Sequence, residues 1–389
     1  MRKIYTGIDV GTYHVKVVIA SPGESPEAPM QILGTGTASS KGMRHGYILD
    51  KKEATLSIRE ALHRAASQAK VRVRSARVAL GGVGIDEIRS SAEISLTPSG
   101  GVVTEREIER ALKESEKRAS SKLTNRNIIH TIPVEFRVDG TKVFGKPNDL
   151  QGTKLAVDTL LVTILTHHHD DIVEAVENAG VEVEGIMVSP LAASLVTLTK
   201  AQKTAGVVLA NIGAETLSIV VFENDIPISL KVFPVGSSDI TNTIALSLKI
   251  PLSEAEQMKR GAVTGSDVPP KQMQTIVATR LRDMFSLINA HLKDIGRLRL
   301  LPAGIVITGG GSGLASASEI AKVILKLPSQ VSQVGYLPRT SSVDATWAVA
   351  YGLCRWAYAE EMGGNGHTIG DIIGNAWDSV KQGVRSLLP

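Results

Sequence analysis

The stretch VVLANIGAETLSIVVF, residues 207–222, consists of two apolar segments separated by a glycine turn. The density of Val and Ile on both sides predicts two buried strands, and Gly213 predicts a tight turn between them. A hairpin of this kind can direct several backbone amides at a phosphate group. Such a hairpin usually carries an acidic residue where Asn211 stands. The stretch therefore predicts a phosphate-binding turn that has an amide, Asn211, in place of the usual carboxylate.

The same pattern opens the chain in MRKIYTGIDVGTYHVKVVIA, residues 1–20, where Asp9 corresponds to Asn211 at an offset of 202 residues. We call residues 11–13 the first turn and residues 213–216 the second turn. One such hairpin is more often a plain hairpin, but two that open two halves of a chain are a specific signal. The predicted phosphate contacts are Gly11, Thr12, Tyr13 and Lys16 in the first half, and Gly213, Ala214, Glu215 and Thr216 in the second.

A third glycine run lies in AGIVITGGGSGLASASEIAKVIL, residues 303–325, and predicts a buried strand, a turn and a helix. Alone it is a weak nucleotide signal, but its backbone could pass close to an adenine base. The predicted contacts there are Gly309, Gly310, Gly311 and Ser312.

The helical stretch SEAEQMKRGAV, residues 253–263, places Glu256, Lys259 and Arg260 on neighbouring positions of one face. These three side chains are candidate nucleotide contacts. The alternative is a solvated face held by ion pairs.

Length and charge exclude several classes of protein. A chain of 389 residues predicts at least two domains, and a net charge of +4 without a cationic block gives little support to nucleic-acid binding.

One cysteine, Cys354, fits a reducing compartment. The start has no signal-peptide pattern and no long apolar run follows, so the chain is expected in the cytoplasm.

In combination, the two hairpins, the third glycine turn and the charged helix resemble the nucleotide site of the actin-like ATPases. Longer strings resemble one family of that superfamily, the bacterial division protein FtsA, over nearly the whole chain. These strings are GTGTASSKGMRHGYILDKKEATLSIREAL (34–62), GGVVTEREIERALKES (100–115), IIHTIPVEFRVDG (128–140), LQGTKL (150–155) and PVGSSDITNTIALSL (234–248).

The resemblance implies an α/β, actin-like two-lobed fold with duplicated ribonuclease-H-like domains, an inserted small α+β subdomain and a C-terminal amphipathic helix. A capping signal, Thr104 with Glu107, predicts the helix of the inserted subdomain. The expected divisions are a first lobe (1–84 and 163–205), the inserted subdomain (85–162), a second lobe (206–235 and 304–362), its upper nucleotide-binding subdomain (236–303), a linker (363–368) and the amphipathic helix (369–389).

The resemblance also implies bound ATP and Mg²⁺, with Asp9 acting on the metal through water and Gly236 among the nucleotide contacts. Two positions depart from the family's acidic pattern, Ser189 and Asn211. Because neither side chain is an effective base, we expect slow or absent hydrolysis. Glu215 adds a carboxylate to the second turn, which would repel a phosphate unless it points away.

The run THHHDD, residues 166–171, invites comparison with a metal site. Consecutive histidines on a strand or loop point in different directions and do not converge on one ion. The simpler prediction is that Asp170 or Asp171 caps the helix that follows.

The end of the chain, IGDIIGNAWDSVKQGVRSLLP, residues 369–389, follows a glycine-rich linker and has an apolar stripe at spacings of three and four. It is predicted to lie in a membrane interface, with Trp377 at the headgroup boundary. Packing against its own domain is the alternative. The predicted lipid-facing residues are Ile369, Ile372, Ile373, Trp377, Val380, Val384, Leu387 and Leu388.

The implied function is that of an ATP-binding, filament-forming adaptor that tethers the tubulin-like FtsZ ring to the cytoplasmic face of the membrane at the division site. The implied partners are FtsZ, further copies of the chain, membrane lipid and, through the insert, other division proteins, with no nucleic acid. Two alternatives are a PilM-like scaffold of type IV pili, which lacks a terminal membrane helix, and an actin-fold small-molecule kinase, which needs an acidic base.

Overall fold

The computed structural model describes residues 3–23, 29–96, 100–262, 269–314, 316–333 and 344–363. The predicted linker beyond residue 363 and the predicted membrane helix lie outside the described residues. Within these ranges, no helix combines the length and the apolar character that a membrane crossing requires.

Alternating and continuous apolar segments form the strands. In chain order they are β1 (Tyr5–Val10), β2 (His14–Ser21), β3 (Gln31–Ser39), β4 (Met43–Arg44), β5 (Tyr47–Ile48), β6 (Ser75–Leu80), β7 (Asp86–Ser95), β8 (Gly101–Val102), β9 (Arg126–Val138), β10 (Thr141–Val143), β11 (Gln151–Gly152), β12 (Lys154–Leu165), β13 (Glu182–Val188), β14 (Val207–Ile212), β15 (Leu217–Glu223), β16 (Ile226–Phe233), β17 (Ile305–Thr308) and β18 (Ser329–Val331).

Helices connect and cover these strands. The α-helices are α1 (Lys51–Ala69), α2 (Glu105–Arg118), α3 (Thr166–Asn178), α4 (Ser189–Thr197), α5 (Lys200–Ala205), α6 (Ser237–Leu248), α7 (Leu252–Lys259), α8 (Pro270–Asp294), α9 (Ala317–Leu325) and α10 (Ala348–Gly363), and short 3₁₀ turns cover Ser120–Lys122, Gly310–Gly313 and Ala345–Trp347.

Two five-stranded sheets repeat one topology. The first has the order β13-β6-β1-β2-β3, and the second, read in the same direction, has the order β18-β17-β14-β15-β16. In each sheet the central strand, β1 or β14, pairs antiparallel with the next strand and parallel with a later one. The duplicated two-lobed α/β fold implied by the resemblance is therefore confirmed.

The segment between β6 and α3 is a separate layer, which we call the insert. Its four-stranded antiparallel sheet has the order β10-β9-β12-β7, and α2 packs on it through a small apolar core that includes Ala111, Phe136 and Leu155. Helix α2 begins directly after Thr104, as predicted, but the Thr104 hydroxyl contacts the Glu107 carboxylate and makes no capping bond to the backbone.

One apolar core joins the two lobes. Besides the first sheet, it contains α4, α10 and the second-lobe residues Leu209 and Val220. Close approach depends on glycine at one crossing, because a Cβ on Gly352 of α10 would overlap the carbonyl oxygen of Ala192 in α4. Helix α10 contacts β1 of the first sheet, and α4 contacts β14 of the second. The two packed helices therefore connect the two lobes.

The prediction for the histidine run is wrong in one respect. Helix α3 begins at Thr166, so the histidines lie inside it and neither aspartate caps it. Asp171 pairs with Lys51 instead, at 2.9 Å. The His168 ring contacts the Gly81 carbonyl through Nε2, at 2.9 Å. The run is therefore part of the helix that supports the Gly81 backbone.

Candidate functional site

A cleft of about 510 Å³ lies between the lobes, where the first and second turns face one another. Strands β1 and β14 each end at this cleft, which is why residues 202 positions apart in the sequence lie on opposite walls of it. The predicted site residues that line it are Asp9, Gly11, Thr12, Tyr13, Lys16, Ser189, Asn211, Gly213, Thr216, Glu256, Lys259, Arg260, Gly309 and Gly310.

The first turn is held open by its own backbone and by Ser40. A Cβ on Gly11 would lie 2.8 Å from the His14 carbonyl oxygen, so the turn accepts only glycine without rearrangement. The Ser40 amide donates to the Tyr13 carbonyl at 3.0 Å, and its hydroxyl donates to the Gly11 carbonyl. Because these carbonyls are engaged from behind, the turn presents a fixed backbone to the cleft.

Asp9 and Lys16 form the charged floor of the cleft. Burial raises the pKa of the Asp9 carboxyl to about 6, although Lys16 opposes that shift. Lys16 donates from Nζ to the Thr346 carbonyl at 2.6 Å, and burial lowers its pKa despite the attraction of Asp9. A partly buried carboxylate whose charge is only partly balanced fits a hydrated divalent cation beside it. The residues present therefore suit Mg²⁺.

The second turn is set by bonds that continue into helix α6. The Gly213 amide donates to the Thr216 carbonyl at 2.8 Å, and the Ser238 amide donates to the Ala214 carbonyl at 2.8 Å. A Cβ on Gly236 would overlap Ala214. Ala214 and Gly236 are not among the residues that line the cleft. They support the turn from behind, and a direct nucleotide contact for either one stays a prediction.

The Glu215 carboxylate points away from the cleft. Its Oε2 accepts the backbone amide of His45, in the first lobe, at 2.5 Å, and its own carbonyl accepts His45 Nδ1 at 3.1 Å. Glu215 does not line the cleft. The negative charge of Glu215 therefore does not face the cleft, where it would repel a phosphate.

Helix α7 and the residue that follows it bring Glu256, Lys259 and Arg260 to one wall of the cleft. Lys259 Nζ lies 2.6 Å from Glu256 Oε2, 2.8 Å from Thr241 Oγ1 and 3.1 Å from the Ser237 carbonyl. The Lys259 side chain is only 7% exposed, whereas that of Arg260 is 58% exposed. Burial lowers the pKa of Lys259. Lys259 thus ties α7 to α6, and Arg260 keeps an accessible charge.

Arg260 also reaches across the cleft mouth to the first turn. Its guanidinium lies 5.6 Å from the centroid of the Tyr13 ring, and Nη2 donates to the Tyr13 hydroxyl at 3.3 Å. Glu256 Oε1 holds the guanidinium at 2.8 Å from the other side. This pair spans the two lobes at the edge of the cleft.

The third glycine turn closes the cleft from the second lobe. Gly309 has φ +85° and packs against the Asn211 side chain, a conformation and a contact that a larger residue would not permit. Space is open beside Gly310 and Gly313, where an added Cβ meets nothing within 4 Å. Gly311 packs on Ile212 and does not line the cleft. This open backbone suits a flat base.

Ser312 and Ser189 use their hydroxyls within the protein. Ser312 Oγ donates to the Gly309 carbonyl at 2.7 Å and lies behind the turn, outside the cleft lining. Ser189, the first residue of α4, donates from Oγ to the Leu80 carbonyl at 3.0 Å and is buried. Among the side chains at the cleft floor, Ser189 and Asn211 therefore supply no carboxylate.

Sequence reasoning missed part of the cleft wall. Gly46, Gly81 and Gly82 line it, and Gly46 is in contact with Gly82, since a Cβ on it would overlap the Gly82 Cα. Thr346 lines it too, from the 3₁₀ turn that precedes α10. The pair Gly81-Gly82 directly after a buried strand was the signal available for this wall.

Two duplicated lobes with facing glycine turns around a partly buried carboxylate define an actin-like protein. Among solved structures, the PilM-PilN type IV pilus biogenesis complex matches with a TM-score of 0.68 at 19% identity, covering 92% of this chain and 100% of that one. The ADP-bound MreB5 of Spiroplasma citri matches with a TM-score of 0.50 at 13% identity, covering 90% of this chain and 94% of that one. These likenesses concern the fold alone.

Sequence comparison identifies the family. The family model described as cell division protein FtsA matches residues 208–352, and the one described as the SHS2 domain inserted in FtsA matches residues 82–163. Together they cover more than half of the chain. The cell division protein FtsA of Pseudomonas aeruginosa is 28% identical over 348 residues, covering 84% of this chain and 82% of the relative. That of Bacillus subtilis is 27% identical over 357 residues, covering 86% and 80%. The chain belongs to the FtsA family of cell division proteins, which confirms the resemblance drawn from its motifs.

Proposed function

We propose that this cell division protein binds ATP with Mg²⁺ in the cleft, assembles into filaments and tethers the FtsZ ring to the cytoplasmic face of the membrane at the division site. The observation that carries the nucleotide part is the pairing of two glycine turns across a partly buried Asp9–Lys16 floor. Family membership supports the role in division.

Each wall of the cleft has a distinct part in nucleotide binding. When bound, ATP brings phosphate oxygens and a divalent cation to the two turns. Amides of the first turn would donate to those oxygens, as would second-turn amides other than that of Gly213, which donates to the Thr216 carbonyl. Lys16 would balance their charge. Asp9 would hold the hydrated cation through its water. Glycines 310 and 313 leave room for the base, and Arg260 covers the mouth.

Hydrolysis is proposed to be slow or absent. A carboxylate that accepts a proton from the attacking water contributes about 10²–10⁴ in rate. Asn211 supplies an amide, and the Ser189 hydroxyl donates to the Leu80 carbonyl. With both family positions neutral, the chain retains groups that bind phosphate but lacks a base at either position.

Membrane attachment is proposed for residues 369–389, on their sequence pattern. The apolar stripe supplies the binding area, because Asp371 and Asp378 offset Lys381 and Arg385 and leave little attraction to anionic lipid. One such helix binds reversibly. Many copies in one filament bind firmly through their effective concentration, so assembly and attachment reinforce one another.

Sedimentation with phospholipid vesicles tests this proposal, with and without ATP and Mg²⁺, for the full chain and for a chain that ends at His367. We expect ATP to increase pelleting of the full chain and truncation to abolish it. Since the tail charges cancel, replacing zwitterionic with anionic lipid should change the result little. Equal pelleting of both chains, or none, contradicts the tether and favours a pilus-type scaffold.

A matched pair of point variants separates the apolar stripe from general charge effects. Trp377→Asp and Asn375→Asp each add one negative charge within the same segment, but only the first falls on the stripe. Trp377→Asp should reduce pelleting to the level of the truncated chain, and Asn375→Asp should leave most of it.

A further inference from the structure

Glu215 connects the nucleotide cleft of the second lobe to the first lobe. Two contacts join it to one residue: its carboxylate accepts the His45 amide at 2.5 Å, and its carbonyl accepts His45 Nδ1 at 3.1 Å. The carbonyl contact fixes the proton of a neutral His45 ring on Nδ1, because a carbonyl can only accept. A hydrogen bond from a backbone amide to a carboxylate is among the stronger hydrogen bonds in proteins.

His45 occupies a backbone position with little freedom. It has φ +49° in the tight turn between β4 and β5, followed by Gly46 at φ +87°. Gly46 is pressed against Gly82, and the Val83 amide donates to the His45 carbonyl at 3.2 Å. Gly46 and Gly82 both line the cleft. A displacement of the His45 amide would therefore move Gly46 and Gly82, which form part of one wall of the cleft.

The same wall continues into the insert. Arg126, the first residue of β9, donates from Nη2 to the Gly84 carbonyl at 2.7 Å and from Nε to Thr163 Oγ1 at 2.9 Å. Thr163 lies in β12, the central partner of both β7 and β9. Contiguous bonds thus run from the second turn, through residues 45–46 and 82–84, to the sheet of the insert.

We propose that Glu215 is a positioning residue, which fastens the second turn to the first lobe and couples the filling of the cleft to the insert. Ligand on the second turn orders Glu215, which orders the 45–46 turn and the 82–84 backbone, and these set Arg126. This inference rests on the proposed nucleotide binding. It gives a function to a carboxylate placed where phosphate binding alone would favour a small, uncharged residue.

Hydrogen exchange read by mass spectrometry tests this coupling in the full chain, with and without ATP and Mg²⁺. The variants are Glu215→Ala, Glu215→Gln and, as a matched control, Glu319→Gln on the exposed face of α9. Without nucleotide, amides of residues 43–48 should exchange about tenfold faster in Glu215→Ala, and less so in Glu215→Gln, whose amide oxygen still accepts. The control should match the parent chain.

Nucleotide adds a second measurement that a purely structural role would not change. In the parent chain ATP should slow exchange around Arg126, and Glu215→Ala should lose that effect while still binding ATP in calorimetry. Unchanged exchange at residues 43–48 in Glu215→Ala overturns the proposal, as does tighter ATP binding with intact protection around Arg126. If the parent chain binds no ATP, the proposed function fails, but the nucleotide-free exchange still decides whether Glu215 holds the turn.

Discussion

Asp9 and Lys16 are register partners on the first hairpin, and both are partly buried residues that line the cleft. Each charge offsets part of the effect of burial on the pKa of the other. Burial is still the larger effect, so the pKa of Asp9 is raised to about 6 and the pKa of Lys16 is lowered. The floor of the cleft is therefore under electrostatic strain, which a hydrated cation and a phosphate would relieve together.

The first prediction concerns Asp9→Asn and pH. The Asp9 pKa is about 6 in the folded protein against 3.8 in an unfolded chain, so the folded state binds more protons between those values. Stability from this group is present at low pH and is lost as pH rises through about 6. Asn carries no such loss. The free energy of unfolding of the variant, relative to the parent, should rise by about 2 kcal/mol from pH 4 to pH 7.

Chemical denaturation at several pH values, without nucleotide or divalent cation, measures this difference. Excess ATP and Mg²⁺ at pH 7 should reverse the order, because only the parent keeps the carboxylate for the cation. A constant difference between pH 4 and pH 7 would show that the Asp9 carboxyl titrates as in water.

The second prediction separates Lys259 from Arg260. Lys259→Met removes a buried ammonium bonded to three oxygens and leaves Glu256 partly unpaired, so stability should fall by about 2 kcal/mol. Arg260→Met removes an exposed charge, so stability should change by less than about 1 kcal/mol while ATP binds about tenfold more weakly. Denaturation and calorimetry on both variants give the two readouts. Equal effects on affinity and stability in the two variants would contradict this division.

The third prediction concerns helix packing between the lobes. Gly352→Ala would place a methyl group on the Ala192 carbonyl and should destabilise the protein by about 2 kcal/mol, despite the better helix propensity of Ala. Gly313→Ala is the control, since its added methyl meets nothing within 4 Å and should change stability by less than about 0.5 kcal/mol. Thermal unfolding of the two variants decides the matter, and equal melting temperatures would count against the close crossing.

Local patterns predicted the two hairpins because their strands carry their own signal, whereas the two-lobed fold and the insert were implied by the family resemblance. The runs around Gly11 and Gly213 are apolar on both sides of the turn, and both hairpins are present. The start of α3 was missed because β12 passes into the helix without a capping residue at Leu165. No local propensity marks such a junction.

Contacts across the cleft could not be predicted from local patterns. Glu215 and His45 are 170 positions apart, and nothing in the spacing of either segment indicates that they meet. The sequence therefore left open whether Glu215 points into the cleft or away from it, whereas the structure shows its carboxylate bonded to the His45 amide. Similarly, the exposed and buried roles of Arg260 and Lys259 depend on Thr241 and Ser237 in another helix.

The last prediction addresses the missing base. Asn211 lies at the end of β14 against Gly309, at the position where the first hairpin carries Asp9. Asn211→Asp has nearly the same shape but restores a carboxylate, so phosphate release from ATP should rise from near background by about tenfold or more. Ser189→Glu is a poorer repair, because the buried hydroxyl is bonded to Leu80 and a longer side chain would have to displace Gly81. Phosphate release measured for the parent, Asn211→Asp and the control Asn242→Asp tests this, and a parent rate typical of working actin-like ATPases would show that hydrolysis needs neither acid.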